Sequence, residues 1–181
     1  MRSFKTEGIV IRRRNIGEAD RLLTIFTKES GKIRIKAPGV RRITSRRSPH
    51  IELLNLSALT LYSSSRSNIP LLTEAQTIRD FDFIKKDLKR IGFAFYICEL
   101  VDKLCPPDQE NRRIFYLLRE TLEKLEFISE KEALVNEFEE KALSYLGFMP
   151  HEYQLSDRQA FIEKILEKKM RTSELLPLFA D

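Results

Sequence analysis

The chain has 181 residues, 42% of them hydrophobic and 33% charged, with a formal net charge of +5. That balance excludes a chain too polar to fold, and the longest apolar run, Phe93 to Cys98, falls far short of the roughly 20 residues a membrane-spanning helix needs. The charge is split, with residues 1–80 holding 16 Lys/Arg against 7 Asp/Glu (net +9) and residues 81–181 holding 16 against 20 (net −4). Such asymmetry directs one half toward a polyanion and the other away from one.

The first 80 residues read as short strands. Phe4 to Ile11 is apolar and β-branched and ends in Arg12-Arg13-Arg14, with a turn at Asn15-Ile16-Gly17. Arg21 to Thr27 makes the next strand, and Glu29-Ser30-Gly31 a hairpin connection. Lys32 to Ala37 then alternates strictly, Ile33 and Ile35 on one side and cations on the other, until Pro38-Gly39 ends it. Residues 38–50 are expected to form a basic loop outside the periodic core. A fourth strand is expected at about Leu53 to Tyr62, a turn at Ser63 to Asn68, and a fifth strand at Leu71 to Ile78. Five short strands of this kind suggest a small closed barrel of the OB type.

From residue 80 the period becomes helical. Ile84, Leu88, Ile91, Phe95 and Cys98 line a first helix that Pro106-Pro107 stops. Ile114, Leu117, Leu118, Thr121 and Leu125 line a second. Ser129-x-x-Glu132 reads as a capping box for a third, carrying Leu134, Val135, Phe138, Ala142 and Leu146 up to Gly147. Ser156-x-x-Gln159 opens a fourth with Phe161, Ile162, Ile165 and Leu166 on one face, and a short turn from Ser173 to Phe179 follows. The expected organisation is α+β in two parts: a five-stranded barrel over 1–79 and a helical bundle over 80–181.

The basic set of the first half carries the most chemistry. Arg34 and Lys36 share a strand face, and Arg41, Arg42, Arg46 and Arg47 put four guanidinium groups into seven residues. Cations so grouped neutralise a chain of phosphates and release its counterions, which gives affinity independent of sequence. Single-strand binders usually add aromatic platforms. Here Phe4 and Phe26 read as barrel core, and Tyr62 is open between core and platform.

Gly17-Glu18-Ala19-Asp20 brings two carboxylates together, read as ion pairing with Arg14 and Arg21. No phosphate-binding glycine loop, zinc-peptidase motif or nucleophile elbow is present, so no catalysis and no cofactor are expected. Cys98, Cys105, His50 and His151 are too few and too scattered for a zinc site, and Cys98 reads as a small hydrophobe. Arg112, Arg113, Arg119 and Lys124 lie around one helix, either as a receiver for an acidic peptide or as a solvated face. The N-terminal MRSFKTEGIVIRRR lacks the character of a secretory signal, so the cytosol is the expected compartment.

Several strings together resemble one family. They are Thr6 to Arg12, Gly17-Glu18-Ala19-Asp20-Arg21 to Thr27, Gly31-Lys32, Gly39-Val40-Arg41-Arg42, Ser45-Arg46 and Leu72 to Ala75. Further on come Tyr96 to Asp102, Phe115 to Leu118, and Leu143-Ser144-Tyr145-Leu146-Gly147-Phe148-Met149-Pro150. The chain resembles the bacterial RecO recombination mediators over most of its length.

The resemblance implies an OB fold with a helical C-terminal domain, binding to single-stranded and duplex DNA, and annealing of complementary strands. It also implies loading of recombinase on DNA coated with single-stranded-DNA-binding protein, with RecR and that protein's C-terminal tail as partners. No membrane and no small-molecule substrate are implied, and the place of action is the bacterial cytoplasm and its nucleoid. Arg12, Arg21, Lys32, Arg41, Arg42 and Arg46 fall on the matching strings. With Arg14, Arg34, Lys36 and Arg47 from the charge reading they form the expected DNA-binding set.

Two features depart from the family pattern. The four-cysteine zinc module after Gly-Phe-x-Pro is replaced by His151-Glu152-Tyr153-Gln154, and the Gly-Gly approach to the fourth strand by Ser48 to Leu54. A protein-interaction adaptor and an RNA-binding OB protein are the alternative functions.

Overall fold

The computed structural model describes residues 2–65, 67–148, 158–167 and 170–172. The chain divides into two compact units, Met1–Asp80 with Pro107–Arg112, and Phe81–Pro106 with Arg113–Asp181.

In the first unit, β1 (Arg2–Ile16), β2 (Asp20–Thr27), β3 (Gly31–Ala37), β4 (Leu56–Ser64) and β5 (Ser67–Arg79) close a barrel in the order β1-β2-β3-β5-β4. All pairings are antiparallel except β3 with β5, which meet in parallel at Lys36 and Leu71. This is the OB-type barrel that the strand pattern predicts. Its interior is Val10, Leu23, Ile25, Ile33, Ile35, Leu59, Leu61 and Leu72, with Phe4 packed against them.

Several strand ends differ from the sequence reading. β1 runs on through Arg12-Arg13-Arg14 to Ile16 because residues Asp20 to Thr24 pair with it. The chain turns instead at Gly17, whose φ of +56° suits a residue without Cβ. β4 starts three residues later than expected, since Ser48–Ile51 forms a 3-10 turn with proline near its start and Leu54 takes φ +71°. Segment 38–55 is less external than its polarity suggests, because Val40, Ile51 and Leu54 are all buried.

Pro107–Arg112 lies along the starting edge of β3. Lys32 bridges Pro107 in parallel, and the Asp108 N–H donates to Lys32 O at 2.9 Å. A Cβ on Gly31 would stand 1.8 Å from Gln109 O, so this approach requires glycine there.

The second unit holds α1 (Asp82–Lys86), α2 (Leu88–Leu104), α3 (Arg112–Leu125), α4 (Lys131–Tyr145) and α5 (Arg158–Leu166). Asp87 breaks the single helix expected from residue 84. Its backbone is extended, and its carboxylate accepts the Lys89 and Arg90 N–H groups as the N-cap of α2. Leu88 is therefore exposed rather than on the apolar stripe. The α3 pattern holds, with Ile114, Leu117, Leu118, Thr121 and Leu125 all buried.

The capping box at Ser129 does not form. The residue before α4 is Glu130, and no side chain caps it. Gly147 does stop the helix, at φ +78°. The expected Ser156 cap and the 173–179 turn lie outside the described residues. Among those residues, no helix is long and apolar enough to cross a membrane.

Candidate nucleic-acid interface

Strand parity sorts the cations of the barrel. On β2, Leu23 and Ile25 face the interior, so Leu22, Thr24 and Phe26 belong to the outer face. Register carries this assignment to the neighbouring strands. Lys32, Arg34 and Lys36 of β3 stand opposite Phe26, Thr24 and Leu22. A β-bulge between Val10 and Arg12 resets the phase of β1, so that Arg12 and Arg14 stand opposite Thr24 and Leu22 on the same outer face. The result is two rows across three strands, Arg12–Thr24–Arg34 and Arg14–Leu22–Lys36, with Lys32 beyond. Each row sets cations on either side of an uncharged β2 residue. Phe26 is fully buried on this outer side, in register with Ile9, rather than in the barrel interior where the sequence placed it.

Arginines of the opposite parity serve the fold. Arg13 is in register with Leu23, and Arg21 with Ala37, both interior residues. The two guanidinium groups share the carboxylate of Glu52, Arg21 Nη1 donating to Oε1 at 2.9 Å and Arg13 to Oε2. Arg21 is thus removed from the outer set. Its partner lies 31 residues ahead, where the local sequence gives no sign of it.

The loop after β3 supplies the remaining cations on a fixed base. Asp20 accepts the Gly39 N–H at 2.8 Å and pairs with Lys36 at 2.9 Å, and these contacts hold its carboxyl below the ordinary range. Its partner is therefore Lys36, not the adjacent Arg14 or Arg21. The Arg41 N–H donates to Ala19 O at 2.9 Å and its Nη1 to Gly17 O at 3.1 Å. Arg47 donates to Leu72 O at 2.5 Å and Pro38 O at 2.7 Å, which staples the loop to β5. Arg47, like Arg21, is held by the protein itself. Arg41, Arg42 and Arg46 are exposed, and Arg14, Arg34 and Arg46 have no hydrogen-bond or ion-pair partner among the described residues.

Tyr62 is half-buried on the outer side of β4, opposite Ser3 and Leu71. The four cations of α3 do not form one patch. Helical spacing puts Arg112 and Arg119 on one side and Arg113 and Lys124 on another. Arg112 pairs with Glu110 at 2.6 Å, Arg119 with Glu123 at 2.9 Å and Lys124 with Glu137 at 3.9 Å, while Arg113 lies over the Tyr145 ring at 5.7 Å.

Cys98 and Cys105 are buried free thiols, and burial pushes Cys98 up to about 12. Among the described residues no three His, Cys, Asp or Glu side chains come together as a metal site.

Comparison with known proteins agrees with this architecture. The family model described as Recombination protein O N terminal matches residues 1–81, and that described as Recombination protein O C terminal matches residues 85–156. The DNA repair protein RecO of Roseiflexus sp. is 38% identical over 153 residues, which cover 84% of this chain and 53% of the relative. Those of Dehalococcoides mccartyi and Alkaliphilus metalliredigens are each 38% identical over 147 and 150 residues, or 57% and 60% of their lengths. The chain thus spans between half and three-fifths of the curated relatives it matches. With both of the family's domains matched in order along it, the chain belongs to the RecO family of DNA repair proteins.

Proposed function

We propose that this chain is a non-enzymatic DNA repair and recombination mediator. It binds single-stranded and duplex DNA through the outer face of β1–β3 and the loop after β3, anneals complementary strands, and helps load recombinase onto DNA coated with single-stranded-DNA-binding protein. The observation that carries the reading is the cation rows, Arg12 with Arg34 and Arg14 with Lys36, set on one outer face across the uncharged Thr24 and Leu22, with Asp20 at the start of β2 pairing with Lys36. Phosphates bind such a face through counterion release, with no need to read bases.

In this reading the helical unit carries the partner contacts, with RecR and with the acidic C-terminal tail of the single-stranded-DNA-binding protein, and the protein acts on nucleoid DNA in the cytoplasm. Arg112, Arg113, Arg119 and Lys124 remain the proposed cations for the tail. They act as two pairs, Arg112 with Arg119 and Arg113 with Lys124, since the helix separates them onto two sides.

An annealing assay tests the function as a whole. Complementary strands coated with single-stranded-DNA-binding protein should pair faster when the purified chain is added than when it is absent. Failure to accelerate pairing, together with failure to bind naked strands at low salt, would rule the mediator reading out.

A further inference from the structure

Ile43 is the most exposed large apolar side chain among the described residues, at 105% relative exposure. A scattered surface isoleucine needs no explanation in itself. What sets this one apart is the construction of the loop beneath it. Arg42 N–H donates to Gly39 O at 3.2 Å and Ser45 N–H to Arg42 O at 2.9 Å, so two successive turns put Ile43 at an apex.

The base of that apex is fixed on three sides. Val40 is buried in the barrel core, Asp20 holds the Gly39 N–H, and Arg47 ties Pro38 O to Leu72 O. Exposed guanidinium groups flank the apex at Arg41, Arg42 and Arg46. Isoleucine is also stiff at χ1, so the knob has little conformational freedom to give up when it docks.

Resting on the DNA-binding reading above, we propose that Ile43 is a base-contacting wedge. The arginines beside it hold consecutive phosphates of a bound strand, and Ile43 enters the step between two bases and unstacks it. The convex shape favours this occupant over a protein. A specific protein interface needs about 800 Å² from each partner, which a single knob on a narrow loop does not offer. A base step accepts one apolar side chain, and isoleucine is among the residues that nucleic-acid binders insert there. Because it meets the faces of the bases and not their edges, the contact is largely indifferent to base identity.

The test uses single-stranded oligonucleotides carrying 2-aminopurine, whose fluorescence rises when its neighbours unstack. Wild type, Ile43→Ser and Ile43→Phe are compared, with the salt dependence of binding measured alongside. Ile43→Ser should keep the wild-type salt slope, bind about fivefold more weakly, and lose the fluorescence rise. Ile43→Phe should keep the rise. An Ile43→Ser protein with undiminished fluorescence and affinity overturns the wedge while leaving DNA binding in place. So does a wild type that binds without brightening the probe. Loss of annealing by Ile43→Ser only on strands coated with single-stranded-DNA-binding protein would assign Ile43 to a protein contact and equally overturn the wedge. Absence of any salt-dependent binding by wild type would remove the DNA-binding reading itself.

Discussion

Residues 1–80 and residues 81–181 each hold 16 Lys/Arg, but the two regions dispose of that charge differently. In the helical unit the cations find carboxylates one turn away: Lys86 with Asp82, Arg90 with Asp87, Lys103 with Glu99, Arg119 with Glu123 and Lys141 with Glu137. On a helix the neighbours at i+3 and i+4 are close in sequence, so compensation is written locally. On a sheet the neighbours come from register. The strand between the basic β1 and β3 supplies Leu22, Thr24 and Phe26 to the outer face, and its one acid, Asp20, stands at the strand's start against Lys36. Arg14, Arg34 and Arg46 of the barrel therefore keep charges that no carboxylate among the described residues pairs with, whereas these helical cations are paired within a turn. The number of cations does not distinguish the two regions; the number and placement of carboxylates, 7 against 20, do.

The largest expected effect tests that contrast directly. Replacing Arg12, Arg14 and Arg34 by Ala should flatten the slope of log affinity against log salt by about 2 for single strands, at about 0.7 for each phosphate left without its cation. Affinity at low salt should fall by roughly two orders of magnitude, for all sequences alike. The matching change in the helical unit, Arg113, Arg119 and Lys124 to Ala, removes as many charges and should leave the slope unchanged. Titrations of both triple variants from low to physiological salt measure this. Equal weakening in the two would mean that net charge, and not the barrel face, drives binding.

A second, smaller effect separates cations within the barrel. Arg47 donates to two backbone carbonyls, whereas Arg46 beside it is exposed and has no partner among the described residues. Arg47→Ala should cost about 2–4 kcal/mol of stability in urea unfolding, because two carbonyls are deprived of a charged donor. Arg46→Ala should cost within about 0.5 kcal/mol while lowering the salt slope. A stable Arg47→Ala protein with a flattened slope would move Arg47 back among the cations that meet phosphate.

These two arginines show where the sequence is legible and where it is not. Period-2 alternation at Ile33 and Ile35 marks β3, and helical spacing marks every buried position named on α3. Both patterns are local and apolar. The strand through Arg12-Arg13-Arg14 carries no apolar alternation, and only pairing with β2 extends β1 over it. The wealth of cations in the loop is plain from composition. Which of them the fold consumes is not, since the partners of Arg21 and Arg47 lie 31, 25 and 9 residues away. The capping box at Ser129 also fails: the helix begins one residue later than the motif proposes, after Glu130, and no side chain caps it.

The smallest effect expected lies wholly in the helical unit and concerns Glu99. Burial raises its pKa, but Lys103 at 2.7 Å, the Thr172 hydroxyl and the N–H groups of Arg171 and Thr172 at 2.9 and 2.8 Å outweigh burial, and the carboxyl is held at about 2 against an ordinary 4.5. The carboxylate is thereby a clamp that fastens residues 171 and 172 to α2. Because the folded pKa is the lower one, the folded state binds fewer protons than the unfolded state over this range. The contribution of Glu99 to stability is complete above 4.5 and fades as pH falls toward 2. Glu99→Gln should be less stable than wild type near neutral pH, and the gap should narrow at about pH 3. Denaturant midpoints of both proteins at the two pH values give the comparison, and other titrating groups cancel in the difference. The variant's DNA salt slope should match wild type, since it alters no barrel charge. A gap that stays constant with pH would show that the clamp works through shape and neutral hydrogen bonds. A changed slope would mean that the helical unit contributes to the field the DNA meets.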